Sequence, residues 1–475
     1  MLEEDRAREA CGVVGVYAPG EDVARIAYFG LFALQHRGQE SAGIATTDGS
    51  RLSMHASMGL VAQVFDEATL RRLTGRMAIG HTRYSTMGAS RRRNAQPIVV
   101  SGAIGQLAVG HNGNVINAGE LRAELESWGC SFTASSDSEV IAHLYANAPG
   151  ITWEERSAHC MRKLRGAYTL VMLTRDAVVG VRDPLGVRPL CLGRLNGGGH
   201  VLASETCALK HLGATFEREI DPGETVVIDD TGVHSTVWSG ARSHHSMCIF
   251  EHIYFARPDS VLAGRLAYTT RMAMGAQLAR EYPVEADLVI GVPDSATAAA
   301  TGYSRESGIP FGEGLVKNRY VGRTFIEPDQ RLRDIGVQMK FNTLPELIGG
   351  RRLVVVDDSI VRGTTTPPVL RLLREAGARE IHMRVCAPPI VATCHFGVDM
   401  GRREELIAAS RSVEEIRRHI GADSLGYLSL KGLLKAVDVT DRTFCRGCFT
   451  GRYPIPVQLE MDKMQLETAE PAPVV

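Results

Sequence analysis

Val354-Val-Val-Asp-Asp-Ser-Ile-Val-Arg-Gly-Thr-Thr-Thr366 reads as a buried strand that carries two acids to its carboxyl end and then turns, through glycine and threonines, into a helix. Valines without polar alternation suit a strand covered on both faces, the habit of parallel sheets. Backbone N–H groups of the turn, the helix N-terminus and the threonine hydroxyls together make a phosphate cradle. Asp357 and Asp358 stand where a Mg²⁺ ion beside those phosphates needs oxygen ligands. A plain strand–turn–helix with one helix-capping acid would explain one aspartate and leave the rest of the pattern without a reason.

Working outward, Leu288-Val-Ile-Gly-Val-Pro293 is a second buried-strand run with an alanine-rich helix after it, and Ile381 to Cys386 is a third, reached through a helix ending at Arg374-Glu-Ala-Gly377. Such alternation predicts a parallel sheet with crossover helices. The first half reads differently. Gly12-Val-Val-Gly-Val-Tyr17 and Tyr168-Thr-Leu-Val-Met-Leu173 are short β-rich runs, with helical stretches at Val23 to Leu34 and Ser138 to Tyr145. Strands grouped around hairpins, with helices set apart, predict sheets covered by helices. At 475 residues the chain should hold two or three domains. The boundary is expected between Asp221-Pro-Gly-Glu224 and Ser243-His-His-Ser246, and the Glu-, Ala- and Pro-rich tail is expected to fray.

Composition narrows the function. With 44% hydrophobic and 23% charged residues the chain has a globular balance, and a net charge of −1 supplies no field to recruit nucleic acid or an anionic membrane. No apolar run nears the roughly 20 residues of a membrane-spanning helix. Met1 to Ala10 carries Glu3, Glu4, Asp5 and Glu9, too acidic for a signal peptide, so a cytoplasmic location is expected. Ten cysteines in so long a chain do not form a disulfide framework. Cys130, Cys160, Cys191, Cys207 and Cys386 read as small core residues; Cys11, Cys248, Cys394, Cys445 and Cys448 need another reason.

Cys11 opens the first strand. Taken with Gln35-His-Arg-Gly-Gln-Glu-Ser41, Gly80-His-Thr-Arg-Tyr-Ser-Thr86, His111-Asn-Gly-Asn114 and Ser136-Asp-Ser-Glu139, it resembles the class II glutamine amidotransferases, in order and in spacing. Their glutaminase domain is an N-terminal-nucleophile hydrolase, an αββα sandwich. Hydrolysing the glutamine amide needs a thiolate-like nucleophile, a base and donors for the oxyanion. An N-terminal cysteine can use its own α-amino group as the base, with a pKa of about 7.7–8.0. That requires removal of residues 1–10, which the resemblance implies are a propeptide. It also implies that Asn112 and Gly113 form the oxyanion hole, that Arg83 pairs with the α-carboxylate of glutamine and Asp137 with its α-ammonium, and that Gly38 and His81 shape the pocket. Arg91-Arg-Arg93 departs from the polar or acidic residues expected there and reads as a solvated loop.

The Val354–Thr366 stretch looks like the phosphoribosyl pyrophosphate loop of type I phosphoribosyltransferases. Lys317-Asn-Arg-Tyr-Val-Gly-Arg-Thr-Phe-Ile326 and Cys248-Ile-Phe-Glu-His-Ile-Tyr-Phe-Ala-Arg-Pro-Asp-Ser260 extend the resemblance, over nearly the whole chain, to the amidophosphoribosyltransferase family. It implies a glutaminase domain at 11–242, a type I phosphoribosyltransferase parallel-sheet domain at 243–460 and a flexible tail at 461–475: α+β, then α/β. Phosphoribosyl pyrophosphate would meet Asp357, Asp358, Ser359, Arg362, Gly363, Thr364, Thr365, Thr366, Lys317, Arg319 and Lys340, with Mg²⁺ held by Ser295, Asp357 and Asp358. Residues 317–342 would form a loop that closes over it.

Cys445-Arg-Gly-Cys448 alone suggests zinc or redox chemistry equally. With Cys248 and Cys394 it matches the family branch that carries a structural [4Fe–4S] cluster, although four thiolates suit zinc as well. The resemblance further implies feedback by purine nucleotides such as AMP and GMP and a homotetramer or homodimer. Pro367-Pro368 stands where polar or basic residues are expected; proline is tolerated in a first helical turn, so the cradle should survive, while the missing charge leaves the details of nucleotide feedback binding open. Two other classes remain open at this point: a different glutamine-dependent synthase, and a regulator that binds phosphoribosyl pyrophosphate without catalysis. The Val354–Thr366 loop argues against the first; the glutaminase half and the lack of a basic DNA-binding face argue against the second.

Overall fold

The computed structural model describes residues 11–84, 88–241, 245–318, 340–400, 402–438, 444–457 and 466. The expected propeptide, most of the loop at 317–342 and Arg319 lie outside the described residues.

Two antiparallel sheets face each other in the N-terminal half, one of seven strands and one of six. The strand Gly12–Tyr17 lies inside the first, paired on one side with Met77–Arg83 and on the other with His200–Ala203. Its period-two alternation sorts the layers: Val13 joins the apolar core between the sheets, whereas Val14 and Val16 join the core under the helix Val23–Ala33. That helix begins where Asp22 accepts the N–H of Arg25 at 3.1 Å, a capping contact that satisfies one of the donors left open in a first turn. In the second sheet Ala108 and Val171 face inward, and Val109 and Leu170 face the helices Ala118–Ser127, Asp137–Ala146 and Trp153–Lys163. Helix, sheet, sheet, helix is the expected αββα sandwich.

The chain leaves the sandwich after the strand Gly232–Val237 and next forms a strand at Met247–Cys248. In the C-terminal half Leu288–Gly291, Arg352–Asp357, Glu380–Val385 and Ser424–Tyr427 make one four-stranded parallel sheet in that order. The unbroken valine run is explained by burial on both faces. Val354 and Val356 pack in one core, with Met274, Leu278 and Tyr303, and Val355 packs in another, with Leu370, Leu373 and Ile416. The helices Ala267–Glu281 and Thr297–Ser307 cross closely because a Cβ on Gly275 or Gly302 would overlap the other helix's backbone.

Leu466, the described residue of the tail, is buried in the helix-side core of the second sheet, and Arg122 donates to its carbonyl at 3.3 Å. At that residue the tail is packed rather than free. Cys130 is likewise half-buried at the edge of a core, while Cys160, Cys191, Cys207 and Cys386 are buried as expected. No helix among the described residues is long and apolar enough to cross a membrane.

Candidate functional site

Cys11 is buried at the head of its strand, beside the end of the strand Met77–Arg83. Its Sγ donates to the carbonyl of Tyr84 at 3.3 Å and lies 3.4 Å from the Tyr84 N–H. Burial pushes the thiol up, and the Tyr84 backbone and Arg83 only partly offset this, so the resting group is a thiol and needs a base. The charges of Arg83, Glu40 and Asp137 all act on it, which gathers the expected glutamine-binding residues Arg83 and Asp137, with Glu40, around one atom. Arg83 is buried, with Nη1 donating to the Ala89 carbonyl at 3.2 Å and 3.8 Å from a Glu40 oxygen. Asp137, first residue of its helix, accepts the N–H of Val115 at 3.0 Å.

His81 is buried with Nε2 donating to the His111 carbonyl at 2.9 Å, tying the two sheets together beside Cys11. Burial lowers its pKa to about 3, so the ring is neutral. Asn112 is fully buried, and neither its Oδ1 nor its Nδ2 has a hydrogen-bond partner among the described residues. An orphaned buried amide is costly, on the order of 1–3 kcal/mol, and a ligand that meets it recovers that cost. Gly113 has φ +145°, in the left-handed range that favours glycine, with no room for a Cβ against the Ala167 backbone. Gly38 approaches the Thr82 backbone so closely that a Cβ would stand 2.5 Å from it. Arg91 and Arg92 are exposed, whereas Arg93 is half-buried within the short helical turn Arg92–Asn94.

At the carboxyl end of the parallel sheet a narrow cleft is lined by Lys340, Asp357, Ser359, Thr365 and Thr366 on its polar side and by Phe341, Val369 and Leu370 on the other. Asp358 lies just behind, its Oδ2 accepting from Ser295 Oγ at 2.6 Å and its Oδ1 from Ser359 Oγ at 2.7 Å. The helix starts at Thr366 with proline in its first turn, as expected of Pro367-Pro368. Lys317 donates to Asp294 at 3.1 Å. Four expected phosphate-binding residues do not line this cleft: Lys317, Arg362, which pairs with Glu405 at 2.8 Å, Gly363, whose carbonyl meets His419 Nε2 at 3.0 Å, and Thr364, which is exposed.

None of the ten cysteines is in a disulfide. Parallel pairing of Met247–Cys248 with Phe444–Cys445 sets Cys248 beside Cys445, and Cys448 follows on the short helix Gly447–Thr450. Cys394 acts electrostatically on Cys248, Cys445 and Cys448. Burial raises all four, Cys248 to about 11. Among the described residues no three His, Cys, Asp or Glu side chains are gathered for a single metal ion. Glu40 and Tyr84 were not singled out by the motifs, although Glu40 lies two residues past Gly38 in a segment that carries the resemblance.

Two family models match: a glutamine amidotransferase domain over residues 81–211 and a phosphoribosyl transferase domain over 259–390. The amidophosphoribosyltransferase of Synechococcus elongatus is 50% identical over 98% of this chain and 95% of its own length, and that of Archaeoglobus fulgidus is 51% identical over 94% and 98%. The chain belongs to the amidophosphoribosyltransferase family. It is an enzyme of this type, acting at the first step of purine biosynthesis. The solved glutamine phosphoribosylpyrophosphate amidotransferase of B. subtilis, complexed with ADP and GMP, is 45% identical with a TM-score of 0.89 over 96% of this chain and 100% of that one. Membership decides between the classes left open by sequence: the two matched domains belong to one amidophosphoribosyltransferase fold.

Proposed function

We propose that the two halves divide the reaction between Cys11 and the Val354–Thr366 loop: the first frees ammonia from glutamine, and the second adds it to phosphoribosyl pyrophosphate to give 5-phosphoribosylamine. Removal of residues 1–10 turns the Cys11 amide into an α-amino group that takes the thiol proton. The thiolate then attacks the glutamine amide carbon, Asn112 Nδ2 and the Gly113 N–H receive the oxyanion, and ammonia leaves with the proton. Arg83 and Asp137 hold the two ends of the amino acid, while Gly38 and His81 shape the pocket. The observation that carries this reading is the fully buried Asn112, whose amide has no hydrogen-bond partner among the described residues.

In the second half Ser359, Gly363 and Thr364 to Thr366 cradle the phosphates, Asp357 and Asp358 face the ribose, and Lys317, Arg319, Lys340 and Arg362 balance charge. Carboxylate and hydroxyl oxygens at Asp357, Asp358 and Ser295 fit Mg²⁺, which takes only one or two protein carboxylates beside substrate oxygens. When bound, Mg²⁺ neutralises the leaving pyrophosphate. By the resemblance, Cys248, Cys394, Cys445 and Cys448 would hold a [4Fe–4S] cluster: Cys248 pairs with Cys445 across two strands, and Cys394 acts electrostatically on the other three. When bound, the cluster supplies structure, because no step changes oxidation state. We assign the domains as 11–242 and 243–460, and the location as cytoplasmic, where free thiols persist. Feedback by AMP and GMP in a homotetramer or homodimer is proposed by likeness to the relative solved with ADP and GMP.

Cys11→Ala tests the division. Glutamine-driven synthesis should vanish while synthesis from free ammonia persists; equal loss of both in folded protein would refute it. The same preparation of unsubstituted protein, handled anaerobically, should lack residues 1–10 by intact mass and show a broad visible band, and a full-length colourless protein containing zinc would overturn both the propeptide and the cluster.

A further inference from the structure

Both working ends of the glutaminase pocket lean on the C-terminal half. Arg37 is fully buried; its Nε donates to the Cys11 carbonyl at 3.1 Å, and its terminal nitrogens grip Glu251 at 2.8 and 3.0 Å. Glu251 heads the helical turn Glu251–Phe255, whose neighbours Ile249, Phe250 and Ile253 pack in the core of the C-terminal half. The same carboxylate accepts from Arg188 Nη1 at 3.1 Å. Arg188 Nη2 reaches across to the carbonyls of Phe396 at 3.0 Å and Gly397 at 2.7 Å. Gly397, with φ +90°, lies against Gly113: a Cβ built on it would stand 2.8 Å from the Gly113 carbonyl carbon. Alongside, Asn114 Nδ2 donates to the His395 carbonyl at 3.0 Å.

These contacts form a buried path that starts at the nucleophile's own carbonyl and ends at the backbone of the oxyanion donor. Glu205 also accepts from Arg37 at 2.6 Å, so two arginines and two glutamates balance their charge out of water. Groups of this kind add little net stability against an apolar replacement, yet they fix geometry, because a two-pronged guanidinium–carboxylate pair tolerates few orientations. An interface network serving adhesion alone could sit anywhere on the two surfaces. This one ends at Cys11 and at Gly113.

We propose that Glu251 is a positioning residue for glutamine hydrolysis: held by the C-terminal half, it orients Arg37 and Arg188 and through them the Cys11 backbone and Gly113, so that the glutaminase pocket is complete only when the halves are docked. The inference rests on the assignment of Cys11 as nucleophile and Gly113 as oxyanion donor.

Full-length Glu251→Gln is assayed with glutamine and, separately, with an ammonium salt. The glutamine-driven kcat should fall about 10- to 100-fold, since a displacement near 1 Å at a reacting group costs up to that much. KM for glutamine should stay within about threefold, the mark of an interaction expressed in the transition state, and the ammonia-driven rate should match the unsubstituted enzyme. An unchanged glutamine kcat, a raised KM at unchanged kcat, or a parallel fall of both activities in folded protein would each overturn the proposal. Arg188→Lys keeps the buried positive charge but loses the fork onto Phe396 and Gly397; the same split, about tenfold in kcat, is expected. It decides the matter if Glu251→Gln does not fold. Cys11→Ala run beside them separates the failures. Glutamine turnover surviving in Cys11→Ala sinks the reading of the pocket, whereas its loss there beside normal turnover in Glu251→Gln and Arg188→Lys sinks this inference alone.

Discussion

The two halves of the molecule hold their proposed site residues in opposite ways. In the sandwich, His81, Asn112 and Gly113 lie within strands, Cys11 lies at the mouth of one, and all are buried among paired backbone. In the parallel sheet, Asp357 ends its strand and Ser359, Thr364 and Thr365 follow on the turn, at an edge where Thr364 is open to solvent. A parallel sheet supplies such an edge through its topology, because every strand ends on the same side and the turns beyond are free to vary. A sandwich has no such edge. It makes a site by leaving polar atoms unmet inside, as at Asn112, and by closing the pocket with neighbours from elsewhere. The glutaminase half should therefore lose rate sharply when one buried atom is removed, and the phosphoribosyl half should lose affinity by degrees.

Asn112→Ala probes the steep side. Its amide has no partner among the described residues, so truncation strands none of their polar groups, and stability should change little. Loss of one oxyanion donor should lower glutamine-driven kcat roughly 100- to 1,000-fold, with ammonia-driven synthesis intact. A parallel loss of both activities would break the comparison. Ser295→Ala probes the graded side. The hydroxyl that steadies Asp358 at 2.6 Å is lost while both carboxylates remain. A Mg²⁺ titration of ammonia-driven synthesis should shift about 10- to 100-fold towards higher concentration and recover its maximal rate at saturation. No shift would mean that Asp358 is held without Ser295.

What the sequence discloses follows the same division. The strand, turn and helix from Arg352 to Glu375 are legible because the apolar run, Gly363 and the first-turn prolines all act locally. Cys11, Asn112 and Gly113 are legible only through the resemblance, since a cysteine at a strand start carries no signal of its own. Arg37, in the middle of a quoted segment, is not readable as a partner of Glu251, because the two stand 214 residues apart and meet only when the halves dock. The capture of Arg362 by Glu405, 43 residues away, is hidden for the same reason, and so is the burial of Leu466 from a polar tail. Local chemistry is written in local sequence; pairings across a core are not.

The smallest effect concerns His81, which serves the sandwich by staying neutral. Its ring is buried, donates to the His111 carbonyl from Nε2, and has its pKa lowered by burial to about 3, against 6.5 for the unperturbed group. Between those values the unfolded chain binds a proton that the folded chain refuses. The stability it contributes is therefore whole above about pH 6.5 and is lost progressively as pH falls towards 3. In His81→Gln the amide can still donate to the His111 carbonyl, and the linkage disappears. The fall in unfolding free energy between pH 7 and pH 5 should become smaller by about 2 kcal/mol at most. Part of the slope should survive, because His252, lowered by burial to about 4, acts in the same direction in the C-terminal half. Thermal unfolding of the variant and the unsubstituted protein at both pH values measures the difference. An unchanged slope would show that His81 takes up its proton in the fold, and the His81–His111 contact could not then be the neutral tie between the two sheets.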